Sequence, residues 1–213
     1  MSERLAELLA DAAEGRFPPP DGSIELVPAP AGRSDAVVAF TAHNVVACGL
    51  PPDEVRALLP GEDPYSDPLR AVFLHRLGER LGAEPGMVDA VLAVAAAGRP
   101  ARSELVLDPL DEREHLRVAR ALRYRDDVHV FGADGGVLTI GRGLAGRVEV
   151  SIEVEPETRT HGLGRALAAS ALALAPPGEA VFAQVSPGNA ASLRAFLAAG
   201  YRPIGSEVLF LRP

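Results

Sequence analysis

Residues 146–175 constrain the fold more than any other stretch of this 213-residue chain. Val148, Val150, Ile152 and Val154 alternate with Glu149, Ser151, Glu153 and Glu155, the period-two pattern of a β-strand with two unlike faces. Pro156 follows, then Arg159-Thr160-His161 and Gly162-Leu163-Gly164-Arg165. An Ala/Leu-rich helical run comes next and is stopped by Pro176-Pro177-Gly178. The first turn of a helix carries backbone N–H groups with no intrahelical partner, and the helix dipole places positive potential there. Glycine removes the Cβ that holds an anion away from those groups. A strand that passes through Gly-x-Gly into a helix is therefore an anion site suited to a pyrophosphate. Arg159 and Arg165 flank it and can add charge-assisted hydrogen bonds, while His161 either contacts phosphate or points outward.

Two other phosphate motifs are excluded. A dinucleotide fingerprint needs a small residue where this chain has Leu167, and an acidic residue about twenty positions on. A P-loop needs Gly-Lys-Ser/Thr, and the chain has no lysine: all 21 of its Lys-plus-Arg positions are Arg. The lack of lysine also rules out a lysine Schiff base.

The rest of the chain divides near Gly98-Arg-Pro-Ala101. Before it, the pattern predicts a helix over 2–13 capped by Ser2, a Pro-rich linker at 17–22, a hairpin over 34–50, and helices at about 52–58, 67–82 and 86–98. After it, strands and helices alternate. The second half reads as a strand at 103–107, a helix at 111–124, strands at 128–132 and 136–141 joined by Asp134-Gly135-Gly136, and the strand at 146–155. A helix over 162–175, a strand at 180–185, a helix at 189–199 and strands at 201–205 and 207–211 complete it. The fold class expected is mixed α/β (α+β): a mostly antiparallel sheet flanked by helices, with an extra N-terminal helix and hairpin region. The domains expected are 1–100, an accessory region, and 101–213.

The net charge of −8 lies mainly in the first hundred residues, which hold 15 Asp and Glu against 8 Arg. No basic run offers the patch that nucleic acid requires. An acidic surface favours a cationic small molecule or basic peptide. No unbroken apolar stretch approaches the roughly 18 residues that span a bilayer, and no secretory signal is visible, so the reading is cytoplasmic with no membrane partner. Cys48 is the single cysteine and reads as a small buried residue in a strand. His43, His75, His115 and His129 have no metal-ligand spacing, so no metal is expected.

The pattern Val154-x-Pro156…Arg159-x-x-Gly162-x-Gly164 resembles the coenzyme A pyrophosphate loop of the GCN5-related N-acetyltransferase (GNAT) superfamily. A second stretch, Gln184-Val-Ser-Pro-Gly-Asn189-Ala-Ala-Ser192 through Phe196 to Gly200-Tyr201, is similar to the family's second signature. There a strand ends, Asn opens a helix, and Gly-aromatic closes it before a final hairpin. The resemblance covers about residues 101–213.

It implies that acetyl-CoA is the cosubstrate and lies in a V-shaped opening between two strands. Backbone at Val154 would bind the pantetheine arm, the loop at 159–165 the pyrophosphate, and Asn189 the sulfur end. It also implies direct acetyl transfer to an amine of a small-molecule or peptide acceptor, without an acyl-enzyme. The assembly expected is a homodimer, the commonest symmetric one. Two departures stand out. The family's usual acid is a Tyr seven residues after the Asn, and here that position is Phe196; Ser192 or water is left to protonate the thiolate, and Tyr201 reads as packing at a strand start. The family's common base position is Val148. Glu149 and Glu153 are then the base candidates, if the polar face of their strand lines an acceptor cleft; the alternative is a solvated face. A catalytically weak or inactive acyl-CoA-binding regulatory module also fits Phe196, and the acidic first hundred residues fit a module that binds a basic partner.

Overall fold

The computed structural model describes residues 3–61, 63–96, 105–158 and 162–213. By their contacts these fall into two units. The first holds the described residues up to 90 with Leu144–Gly146 and Ile204–Pro213, and the second holds those from 91 to 143 and from 147 to 203.

In the first unit, helix α1 (Arg4–Ala13) buries Leu5, Leu8, Leu9 and Ala12, the stripe its periodicity predicts. Each such Leu contributes about 1.5–3 kcal/mol by leaving water. Strands β1 (Ile24–Pro28), β2 (Ser34–Phe40) and β3 (His43–Cys48) are joined by the C-terminal strand β10 (Arg202–Leu211) in the order β1-β3-β2-β10. β1 runs parallel to β3; β2 is antiparallel to both β3 and β10. Helices α2 (Pro52–Leu58) and α3 (Ala71–Leu81) cover a core of Val37, Val46, Val55, Phe73, Leu77, Val208 and Phe210. The hairpin and α2 stand where the sequence puts them; α3 starts four residues later than expected, because Asp67–Leu69 form a separate 3-10 turn and Arg70 is extended. Cys48 is buried in β3.

Two predictions fail in or beside this unit. The run read as a helix over 86–98 contains strand β4 (Asp89–Val94) instead. A short apolar run such as Val-Leu-Ala-Val has no period that separates a buried strand from a buried helix. The two strands expected at 201–205 and 207–211 are one continuous β10. Gly205 is not a turn residue: a Cβ there would stand 2.3 Å from the Ala39 carbonyl oxygen, so it marks close approach to β2. β1 is an addition that the sequence reading left unassigned.

In the second unit the strand order is β4-β9-β8-β7-β6-β5, with β5 (Asp108–Pro109), β6 (Asp126–Ala133), β7 (Gly136–Arg142), β8 (Val148–Val154) and β9 (Val181–Val185). β5 to β8 pair antiparallel in sequence, and β8 pairs parallel with β9. Helix α5 (Leu163–Leu174) makes the crossover between those two parallel strands, and α6 (Ala190–Ala198) follows β9. Leu167, Ala168 and Ala171 of α5 share a core with Leu138, Ile140, Val150, Ile152 and Val181. The chain is thus mixed α/β with mostly antiparallel strands flanked by helices, as read.

The expected strand at 103–107 lies partly outside the described residues; 105–107 form no strand, and β5 is only the pair after it. Helix α4 is Leu116–Tyr124, five residues shorter than expected at its start. The Glu112 carboxylate accepts from the Glu114 and His115 amides and holds 112–115 in a turn, and His115 Nδ1 then accepts from Arg117 N. Local side-chain bonds to the backbone compete here with helix.

β8 differs most from its pattern. Alternation predicts one buried and one polar face, yet both are buried as far as Ile152. The valines and Ile152 meet α5. The opposite face carries Glu149 and Ser151, and there the chain following α4 supplies Arg125.

Candidate active site

β8 and β9 are paired only from Val148↔Val181 to Val150↔Ala183, although β8 continues to Val154 and β9 to Val185. Past that point the pairing stops, and a cleft of about 700 Å³ opens, lined by Ile152, Glu153 and Val154 of β8 and by the starts of α5 and α6.

Gly162 is the N-cap of α5 at φ 83°, ψ −1°, a left-handed conformation that costs a side chain roughly 1–2 kcal/mol. The first i,i+4 bond of the helix runs from Ala166 N to Gly162 O at 3.0 Å. The amides of Leu163, Gly164 and Arg165 therefore precede the intrahelical ladder, and all three residues line the cleft. A Cβ on Gly164 would lie 3.5 Å from Ala195 Cβ and 3.6 Å from Val154 Cγ2, so a longer side chain would enter the space between β8 and the two helices. Residues 155–158, at the end of β8, are anchored by the hairpin turn of β6 and β7. The Gly135 carbonyl accepts from Glu155 N at 2.9 Å and lies 2.9 Å from Thr158 Oγ1.

The start of α6 faces the same cleft. Asn189 caps it: Oδ1 accepts from Ser192 N at 3.1 Å, which leaves the amide nitrogen of Asn189 as its other polar atom at the cleft. Two helix N-termini with positive potential thus converge, and Arg165 and Arg194 add formal charge.

On the other face of β8 lies a buried polar network. Arg125 Nε donates to Glu149 Oε2 at 2.9 Å, and its Nη atoms reach Thr139, Ser151 and Gln184 at 3.3–3.4 Å. Arg147 Nε donates to the second Glu149 oxygen at 2.8 Å, and its guanidinium lies 5.1 Å from the Phe182 ring centroid. Burial pushes the Arg125 guanidinium below its usual range, and the neighbouring Glu149 charge opposes that. By touching Ser151 on β8 and Gln184 on β9, Arg125 bridges the two strands where they part.

No protein-family model and no curated protein match this sequence. Among solved structures, a GCN5-related N-acetyltransferase from Kribbella flavida is 18% identical, with a TM-score of 0.40 over 61% of this chain and 59% of that one. A GCN5-related N-acetyltransferase from Sphaerobacter thermophilus is 16% identical, with a TM-score of 0.41 over 67% and 57%. A putative GNAT-family acetyltransferase from Novosphingobium aromaticivorans is 22% identical, with a TM-score of 0.42 over 61% of this chain and 66% of that one. This chain spans less than two thirds of the length of each of these three structures.

The cleft brings together Val154, Gly162, Leu163, Gly164, Arg165, Asn189, Glu153 and Ser192 from the set picked out in the sequence. Arg159, Thr160 and His161 lie outside the described residues. Glu149 is not on the cleft. It is 1% exposed with each carboxylate oxygen on a guanidinium, because the face expected to be solvated or open to an acceptor is covered at that level. Glu153, two residues further along the strand, is half-buried, and its Oε2 accepts from Arg117 Nε at 3.3 Å.

Phe196 is buried edge-on against Tyr201, with ring centroids 4.9 Å apart and planes at 78°. The Tyr201 hydroxyl donates to the Ala168 carbonyl at 3.2 Å, and burial raises its pKa strongly. Sequence reasoning missed Arg117, Arg125, Arg147 and Arg194. No spacing signal could have marked the first two, which come from α4 and the residue after it, well before β8 in the chain.

Proposed function

We propose that this chain is an acetyl-CoA-dependent N-acetyltransferase that passes an acetyl group directly to a primary amine. The observation that carries the reading is the cleft where β8 and β9 part, walled by the first turns of α5 and α6. Its residues suit the coenzyme. The amides of Leu163, Gly164 and Arg165 can donate to a diphosphate, Gly162 gives α5 its left-handed entry, and Gly164 leaves room between Val154 and Ala195. The motif resemblance assigns the β8 backbone around Val154 to the amides of the pantetheine arm, and Asn189 to the sulfur end. The motif assigns Arg159, Thr160 and His161 to the same phosphates.

Acetyl-CoA supplies an activated thioester. The protein holds the acceptor amine beside it, and the gain comes chiefly from that proximity. Glu153 takes the proton that the ammonium must lose, either directly or through water. As the new C–N bond forms and the C–S bond breaks, the departing thiolate takes a proton from water or from Ser192, since Phe196 has none to give.

Calorimetry with coenzyme A tests the first half of the reading. Saturable binding is expected for the wild-type chain, with affinity lowered at least about tenfold in Gly162→Val or Gly164→Val, where amide contacts to the anion are displaced. No heat of association in the wild type would overturn it. Thiol release from acetyl-CoA with a panel of amines tests the second half, and Glu153→Gln should lower kcat about 10²-fold or more.

A second reading is favoured by one observation. With Phe196 in the usual acid position and Tyr201 tied to Ala168, no tyrosine lines the cleft among the described residues, and an acyl-CoA-binding regulatory module requires none. Coenzyme binding without thiol release from any amine would select it.

A further inference from the structure

We propose that the acceptor is an α-amino acid or another compound carrying a carboxylate on the same carbon as its amine, and that Arg117 reads that carboxylate while Glu153 receives the amine. This deepens the acetyl-transfer reading and rests on it.

The geometry points to a pair of this kind. Glu153 belongs to the side of β8 that carries Glu149 and Ser151, opposite the valines that pack on α5. Arg117 reaches it from α4, so the two stand across β8 from the glycine loop while still lining the same cleft. If the coenzyme enters along the α5 and α6 side, the amine must approach from the side where Arg117 and Glu153 lie. The two side chains are 32% and 40% exposed, open enough to meet a ligand and enclosed enough to lose much of their water on binding.

Arg117 differs from the deeper arginines. Arg125 and Arg147 are buried and engaged with Glu149 and its neighbours. Arg117 gives only Nε to Glu153, and among the described residues neither Nη atom has a hydrogen-bond acceptor. Its planar fork is thus engaged at Nε while the residue lines the cleft, and a guanidinium with both Nη groups to spare can receive a carboxylate in two parallel bonds. Among the described residues the Glu153 Oε1 likewise has no hydrogen-bond donor, which leaves it for an ammonium. A cation and an anion in contact, each with donors or acceptors to spare, match a molecule whose own ammonium and carboxylate share one carbon. A simple alkylamine or a polyamine would leave Arg117 beside a second cation and gain nothing from it.

The test uses the full chain saturated with coenzyme A. The twenty common amino acids, their carboxamides and a set of simple alkylamines are compared by calorimetry and, with acetyl-CoA, by thiol release. At least one amino acid is expected to bind and to be acetylated with kcat/KM about 10- to 100-fold above its carboxamide, the worth of a charge-assisted pair. Arg117→Gln should abolish that preference by raising KM for the amino acid, with kcat changed far less and coenzyme A affinity unaltered; Arg117→Lys should restore part of it. A merely structural Arg117 would lower the amino acid and its carboxamide alike. Alkylamines or carboxamides that match the best amino acid would overturn the proposal and leave acetyl transfer standing. Amino acids that neither bind nor release thiol, in a chain that binds coenzyme A, would also overturn it. Failure to bind coenzyme A would instead remove the acetyltransferase reading itself.

Discussion

Glu149 and Glu153 are chemically the same residue, two positions apart on one strand face, and the structure gives them different surroundings. Glu149 is 1% exposed between two guanidiniums, so it offers no lone pair to a substrate. A buried carboxylate of this kind stabilises only while its partners remain. Arg125→Met is therefore expected to destabilise the fold by about 3–5 kcal/mol in urea unfolding, because it leaves Glu149 short of a partner in a dry site. Adding Glu149→Gln should cost less than the sum of the two single changes, since the stranded charge is then gone. An additive result would show that Arg125 acts through packing alone. Glu153, by contrast, lines the cleft and is the residue proposed to accept the proton. Nothing in the alternation of β8 could tell the two apart: period two says which face a residue is on, not how deep the cover over that face extends.

At the level of elements, the helices and strands with strong local signals were legible. Pro176-Pro177-Gly178 stops α5, Asn189 opens α6, and Asp134-Gly135 turns β6 into β7, each through chemistry within a few residues. Where the decision was non-local, the reading went astray. β4 is a strand because neighbouring β9 receives it, and β10 is unbroken because Gly205 lies against Ala39 rather than in a turn. Gly205→Val should thus break the β2–β10 ladder between Ser206↔Ala39 and Leu211↔Ser34, at a cost of about 3 kcal/mol. Amide exchange should then quicken in β2 and β10 before other strands; uniform exchange would refute the close-approach explanation. The V between β8 and β9 is likewise an event of pairing, visible only as a register that ends at Val150↔Ala183.

For the whole molecule, the single Cys48 is a reporter of opening. It is buried in β3, and burial raises its thiol above the ordinary range, so little reactive thiolate exists at neutral pH. A disulfide reagent should label the native chain about 10³-fold or more slower than the urea-unfolded chain, and fast native labelling would mean that this core opens locally. Among the described residues no helix is long and apolar enough to cross a membrane. The residues alone determined the two-faced strand, the glycine entry to α5, the Asn cap of α6 and the mixed α/β class, because each rests on sterics or hydrogen bonds between near neighbours in sequence. Only the tertiary structure decided that Glu149 is sealed and Glu153 open, that Arg117 stands at the cleft, and that the last strand pairs with β2. Those outcomes depend on which distant segments cover which face, and a chain carries no local mark of its remote neighbours.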